Sequence, residues 1–300
     1  MKIVRRIGIN AHPHEREQLS RLGVELPHTR GSPSLVEVFL LDEADPRWPA
    51  VRDWFLRRGE RPGWEETVFT KAEIGAAQWV NLLPAWHHGY PQPEDEFGYL
   101  TVTYDGKGCR ACGTGYAQRE PFRMTGEPRW GTRGLLQVNW VFDEYFVTPE
   151  VAAWLREHFN VQSEVVLNRR GRPLETVRQL VVEEVVSMPR ADLPAAVCSA
   201  CGVEKILPIR RGPMRQLAAS PVGHLARTRE WFGDGHSAFH EVVISRDLRV
   251  ALDAAHVRGQ VYRPVAEGPW EDPGAGQPAD IHDPGAHRRL LGAIEGDSVP

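Results

Sequence analysis

Cysteine and lysine are both scarce in this chain, with four of each in 300 residues. So few cysteines exclude a disulfide-dense secreted scaffold. No run of about 20 apolar residues occurs, so no membrane-spanning helix is expected. The opening Met1-Lys-Ile-Val-Arg-Arg-Ile-Gly-Ile-Asn10 alternates polar and apolar like a strand, and the apolar core of a signal peptide does not follow its charges. A formal charge of −4 points to no particular partner, and no long basic block is present to track phosphates. Nucleic-acid binding is therefore not favoured, and neither is a membrane surface. The hydrophobic share, 41%, covers a substantial core. The ten tryptophans are read chiefly as core, with any exposed ones as contact anchors.

What the chain does have is one doubled motif. Gly108-Cys109-Arg110-Ala111-Cys112-Gly113 and Val197-Cys198-Ser199-Ala200-Cys201-Gly202 hold all the cysteines, and both spell CxxCG. Two thiolates at this spacing can curl round one ion, and the glycine permits the left-handed turn that aims backbone amides at sulfur. A second such knuckle completes a tetrahedral four-thiolate site, so one structural zinc at Cys109, Cys112, Cys198 and Cys201 is expected. The 85 residues between Cys112 and Cys198 exceed the usual spacing of a compact ribbon. Disulfides, a dithiol redox pair and inert thiols stay open beside zinc. Redox pairs sit at helix N-termini, though, and these motifs adjoin strand-like segments. A closed four-cysteine site leaves no position for substrate, so the metal would hold the fold and do no chemistry.

Along the chain, strands are expected over 2–10 and 36–41, with a polar loop between them carrying His12 and His14. Val51, Trp54 and Phe55 space a helix over about 48–58. Thr70-Lys-Ala-Glu73 is a capping box opening a second helix that runs towards Pro84. Leu100–Tyr104 and Glu204–Ile209 read as strands flanking the knuckles, each knuckle at a hairpin tip. Residues 135–142, 161–167 and 176–187 read as strands, and Thr148-Pro149-Glu150 caps a helix. Arg169-Arg170-Gly171-Arg172 reads as a solvated hairpin tip. Residues 214–225 suggest a loop or short helix. The strand Glu241–Ser245, a helix capped by Ser245 and the strand Gln260–Val265 close the fold. The loop Trp86-His87-His88 and the acids Glu94, Asp95 and Glu96 could suggest an active site, as could His236, His240 and Ser245. No nucleophile or further ligand is patterned around them, and no enzyme is expected.

The order Gly-Tyr-Pro-Gln-Pro (89–93), CxxCG (109–113), Gln118 to Phe122, Trp130-Gly131, Trp140 to Phe146, CxxCG (198–202) and the closing Val-Val-Ile-Ser … Gly-Gln-Val-Tyr-Arg-Pro-Val resembles the double-CXXCG immunity protein family. The resemblance covers roughly residues 35–266. It implies a zinc-ribbon-like protein, with zinc at the four cysteines, acting as antidote to a swarm-inhibition toxin delivered between competing bacteria.

Together these readings give an α+β protein with an antiparallel β-rich core, two zinc-knuckle hairpins sharing one site, a few short helices and a C-terminal strand-helix-strand unit. The expected division is a zinc-knuckle domain over 1–225 with a folded insertion at 113–197, the strand-helix-strand unit over 226–266, and a disordered tail over 267–300. The expected function is stoichiometric neutralisation of a cognate protein toxin in the cytoplasm. The competing reading is a zinc-ribbon nucleic-acid-binding or transcription-associated protein.

Overall fold

The computed structural model describes residues 1–10, 12–26, 36–190 and 193–270, and the expected tail from 271 onward lies outside them. The fold is α+β with mostly antiparallel sheets. Among the described residues the chain divides into two compact units, one of 1–73 with 209–212 and one of 74–208 with 213–270.

The first unit contains β1 (Lys2–Asn10), α1 (Pro13–Arg21), β2 (Val36–Asp42), α2 (Trp48–Arg57) and β3 (Trp64–Val68). Its sheet runs β2-β1-β3, antiparallel throughout. Ile3, Arg5, Ile7 and Ile9 alternate onto the covered face of β1. There α2 buries Trp48, Val51, Trp54 and Phe55, each contributing about 1.5–3 kcal/mol. Helix α1 replaces the loop expected around His12 and His14. Its sequence lacks an apolar stripe because buried Glu15, paired with Arg58, stands where a second apolar residue would be, leaving Leu19 alone in the core.

Residues 209–212 complete this unit. Arg5 bonds Glu43 at 2.6 Å and Glu65 at 2.9 Å, and Arg211 reaches the same two carboxylates at 2.9 and 3.2 Å. Thr67 Oγ1 donates to the Arg210 carbonyl and accepts from the Gly212 amide, both at 2.9 Å. Removing one member of such a buried ring strands the others and costs about 3–5 kcal/mol.

Next comes α3 (Lys71–Ala76), whose capping box forms: Glu73 N donates to Thr70 Oγ1 at 3.2 Å and Thr70 N to Glu73 Oε2 at 2.8 Å. The helix does not run to Pro84. Trp79–Pro84 is instead strand β4, flanked by β14 and β15 in the middle of a sheet. Val80, Asn81 and Leu82 are all buried, so both faces of the strand are covered and the apolar residues do not alternate, a pattern that periodicity cannot tell from a helix.

A short helix, α4 (Tyr99–Val102), stands where a strand was expected, because one helical turn buries both Tyr99 and Thr103. The chain continues through β5 (Arg123–Met124), β6 (Leu135–Leu136), β7 (Phe146–Val147), α5 (Pro149–Phe159), β8 (Ser163–Asn168), β9 (Pro173–Leu180) and β10 (Val185–Val186). It then passes β11 (Ala195–Val197), β12 (Glu204–Ile206), β13 (Leu225–Thr228), β14 (Val242–Ser245), α6 (Arg246–Ala254) and β15 (Gln260–Pro264). No helix forms over 214–225. The strand expected over 135–142 stops at Leu136, and Trp140 turns the chain at φ +68°. The expected strand 176–187 divides between β9 and β10, which belong to different sheets.

Thr148 and Ser245 cap α5 and α6 as their sequences suggest, accepting from the amides of Val151 and Leu248. Both helices bury apolar side chains in one cluster with Leu82, Val147, Leu180 and Ile244, drawn from the two five-stranded sheets β10-β13-β14-β4-β15 and β5-β8-β9-β7-β6. Among the described residues no helix is long and apolar enough to cross a membrane.

Candidate metal centre

Each CxxCG motif folds by the same local bonds. The amide of the first cysteine donates to the carbonyl five residues on, Cys109 to Thr114 at 2.8 Å and Cys198 to Val203 at 2.9 Å. The glycine amide returns to the first cysteine's carbonyl, Gly113 to Cys109 at 2.8 Å and Gly202 to Cys198 at 2.9 Å. Both glycines sit in the left-handed region, at φ +79° and +74°. That conformation costs a residue with a Cβ about 1–2 kcal/mol, which is why the motif ends in glycine. The second knuckle tips the regular hairpin of β11 and β12. The first has no regular strands, its two arms being joined by an isolated bridge between Tyr104 and Gln118 and by backbone bonds from Asp105 to Ala117 and from Arg119 to Thr103.

The two knuckles converge. Sγ of Cys109 lies 4.0 Å from that of Cys198, and Cys112 lies 3.6 Å from Cys201. All four sulfurs fall within 4.8 Å of one another, and all four are free thiols. A tetrahedral ion with metal–sulfur bonds of about 2.3 Å places its ligands about 3.8 Å apart. The four cysteines therefore fit a single metal ion, and among the described residues they are the only such cluster.

The surroundings favour thiolates unevenly. The Val203 amide, pointing at sulfur, brings Cys201 down to about 6. The amides of Ala200 and Cys201 lower Cys198 likewise. Burial pushes Cys112 up to about 11, against the pull of the Thr114 hydroxyl at 3.1 Å. A cation stands beside this buried sulfur. Lys205, on β12, donates its ammonium to the carbonyls of Cys112 (2.9 Å), Gly235 (2.7 Å) and Ser237 (2.8 Å). Its side chain sits next to a site that would carry two net negative charges when four thiolates hold a divalent ion. It also ties the second hairpin to the first knuckle and to the loop 235–237.

Compared with models of protein families, with curated proteins and with solved structures, the chain matches none. Its chemistry has to be read from its own residues.

The other candidate residues do not assemble into a second metal site. The rings of His12 and His14 stack at 5.8 Å at the start of α1. His87 and His88 are partly buried, which lowers both. Ser245 Oγ is engaged as a helix cap and with His224 Nδ1 at 2.8 Å. His236 Nδ1 lies 3.3 Å from the Arg110 carbonyl, against the first knuckle, and His240 Nδ1 lies 3.0 Å from that of Glu230. In the arginine turn, Asn168 Oδ1 accepts from the amides of Arg170 and Arg172, and Arg169 Nε donates to Gln92 at 2.9 Å. That cluster is a braced hairpin tip.

Beside the cysteines opens a cleft of about 1690 Å³, to whose wall Cys109, Arg110, Gly113 and His236 contribute. Asp95 and Glu96 also line it, whereas His87 and His88 do not. Half-buried in its wall are Asp143 and Glu144, which the sequence reading passed over. Burial pushes Asp143 up to about 6, and burial together with the charge of Asp143 pushes Glu144 up to about 8. The signal that could have found them is two adjacent carboxylates inside the otherwise apolar stretch from Trp140 to Val147.

Proposed function

We propose that the chain is a cytoplasmic immunity protein that neutralises one cognate protein toxin by forming a stoichiometric complex with it, braced by a single zinc ion at Cys109, Cys112, Cys198 and Cys201. The observation that carries this reading is the convergence of four sulfurs from two CxxCG motifs 85 residues apart. Zinc suits the site because it is redox-inert, accepts four soft thiolates and imposes no geometry other than the tetrahedron they already approximate. Free thiols kept as metal ligands belong in a reducing compartment.

Binding is favoured over catalysis because a closed four-thiolate ion offers no site to a substrate. The metal's work is mechanical: it keeps the Cys109–Gly113 wall of the cleft fixed to the β11–β12 hairpin. Acidic residues around 94–96 and the aromatic rings beside them supply the recognition surface, complementary to a basic partner.

The test is co-expression with the product of the neighbouring reading frame as candidate toxin. Growth should be rescued, the two proteins should co-elute at a fixed ratio, and the natively purified chain should carry one zinc by elemental analysis. Absence of both complex and rescue would overturn the reading. Tight, salt-sensitive binding to DNA or RNA would replace it with the zinc-ribbon nucleic-acid reading.

A further inference from the structure

The cleft beside the cysteines has a distinct lip and a distinct floor. At the lip, Trp140 lies against Tyr90 (ring centroids 4.4 Å) and exposed Phe97 (4.7 Å), with buried Tyr99 behind it (6.2 Å). Glu96, Phe97 and Trp140 all hold positive φ, at 50°, 56° and 68°. Such strain persists only where surrounding structure imposes it, and it gathers at binding sites. On the floor, Gln118 and Gln179 exchange amide bonds at 2.9 and 2.7 Å, and Gln179 Nε2 also donates to Glu144 at 2.8 Å. Asp143 receives the His240 amide at 3.1 Å.

Asp143, Glu144 and Arg227 line this cleft, yet none of them makes an ion pair among the described residues. Around the whole cleft six carboxylates face four arginines. An anionic ligand would be repelled by the Asp143 carboxylate, and an apolar one would cover the two carboxyl groups while supplying no donor beyond the His240 amide and Gln179 that each already has. A planar cation answers both problems. A guanidinium presents paired N–H donors to carboxylates and stacks on aromatic faces, which an ammonium does less well.

We propose that this cleft receives an arginine side chain projecting from the partner protein, entering past Phe97 and Trp140 and bonding to Asp143 and Glu144. The proposal rests on the chain being a protein-binding protein, but not on the partner being a toxin. The groups facing Glu144 are Asp143, Arg227, Glu164 and Gln179, with Tyr104 close by. Burial and the charge of Asp143 raise the Glu144 carboxyl above the ordinary carboxylate range, so capture of a cation favours loss of its proton.

The probe is an acetylated, amidated Gly-Arg-Gly peptide titrated calorimetrically into the full-length, metal-loaded chain, with the citrulline peptide as its uncharged isostere. The arginine peptide should bind at least ~10-fold more tightly than the citrulline peptide, and D143N/E144Q should abolish that preference. Affinity should rise with pH, because the raised carboxyl must lose its proton to bind a cation, and calorimetry in buffers of different ionisation enthalpy should show proton release. Equal affinity for the two peptides, no binding at ~10 mM peptide, or a flat pH profile would overturn the proposal. Should the double variant fail to fold, the wild-type pH profile and proton count decide. Loss of arginine binding with toxin neutralisation intact would sink the cleft alone, whereas arginine binding without neutralisation would sink the immunity reading alone.

Discussion

The two CxxCG knuckles share their local hydrogen bonds and differ in almost everything around them. Cys112 is buried and held as a reluctant thiol, whereas Cys201 is exposed and its thiolate is favoured by an amide. A Cβ on Gly113 would lie 2.3 Å from the His236 carbonyl oxygen, but one on Gly202 would meet nothing within 4 Å. The second knuckle rests on its own hairpin, with β11 exposed along its length. The first depends on the loop 233–238 and on Lys205. An identical motif thus serves once as a buried anchor and once as an external clasp, and neighbours in space decide which.

Substitutions at matched positions can break this contrast. Cys112→Ser should have the largest effect: it removes a metal ligand and leaves a hydroxyl in a buried site, giving metal-free, largely insoluble protein, measured by soluble yield and elemental analysis. Under the proposed zinc reading, where such an ion contributes on the order of 10 kcal/mol to the folding of small domains, chelation should come next. It should expose the amides of 195–206 to hydrogen exchange sooner than those of 104–118. The reverse order would mean that the first knuckle is the clasp.

Gly113→Ala should cost about 3–5 kcal/mol, combining left-handed strain with a backbone clash, as read from the melting temperature. Lys205→Met should cost about 2–4 kcal/mol, because three carbonyls lose a charged donor, and should make the metal easier to remove by a chelator. Gly202→Ala should be mildest, at about 1–2 kcal/mol from strain alone. Equal losses at Gly113 and Gly202 would erase the distinction.

Features fixed by a few neighbouring residues were legible in the sequence. The knuckle turns, the Thr70–Glu73 box, and the caps at Thr148 and Ser245 all form through bonds spanning five residues or fewer. Legibility failed where the deciding partner is distant. Glu15 belongs in a helix because Arg58 neutralises it, and Trp79–Pro84 is a strand because β14 and β15 enclose it. The cleft floor brings Gln118, Asp143 and Glu144, Gln179 and Arg227 together from four separate stretches, so no window of sequence contains it. The place of 209–212 in the first unit carries no local mark at all, since arginines at a loop are ordinary until Glu43 and Glu65 are seen to receive one of them.

That last feature bears on how the molecule is made. A ribosome releases β1, β2 and β3 long before the Arg210–Gly212 strap that finishes their unit, and both cysteine pairs emerge in the interval. Metal capture can therefore precede closure of the amino-terminal unit during synthesis, and a nascent chain halted before residue 209 would hold all four thiols but only an incomplete first unit.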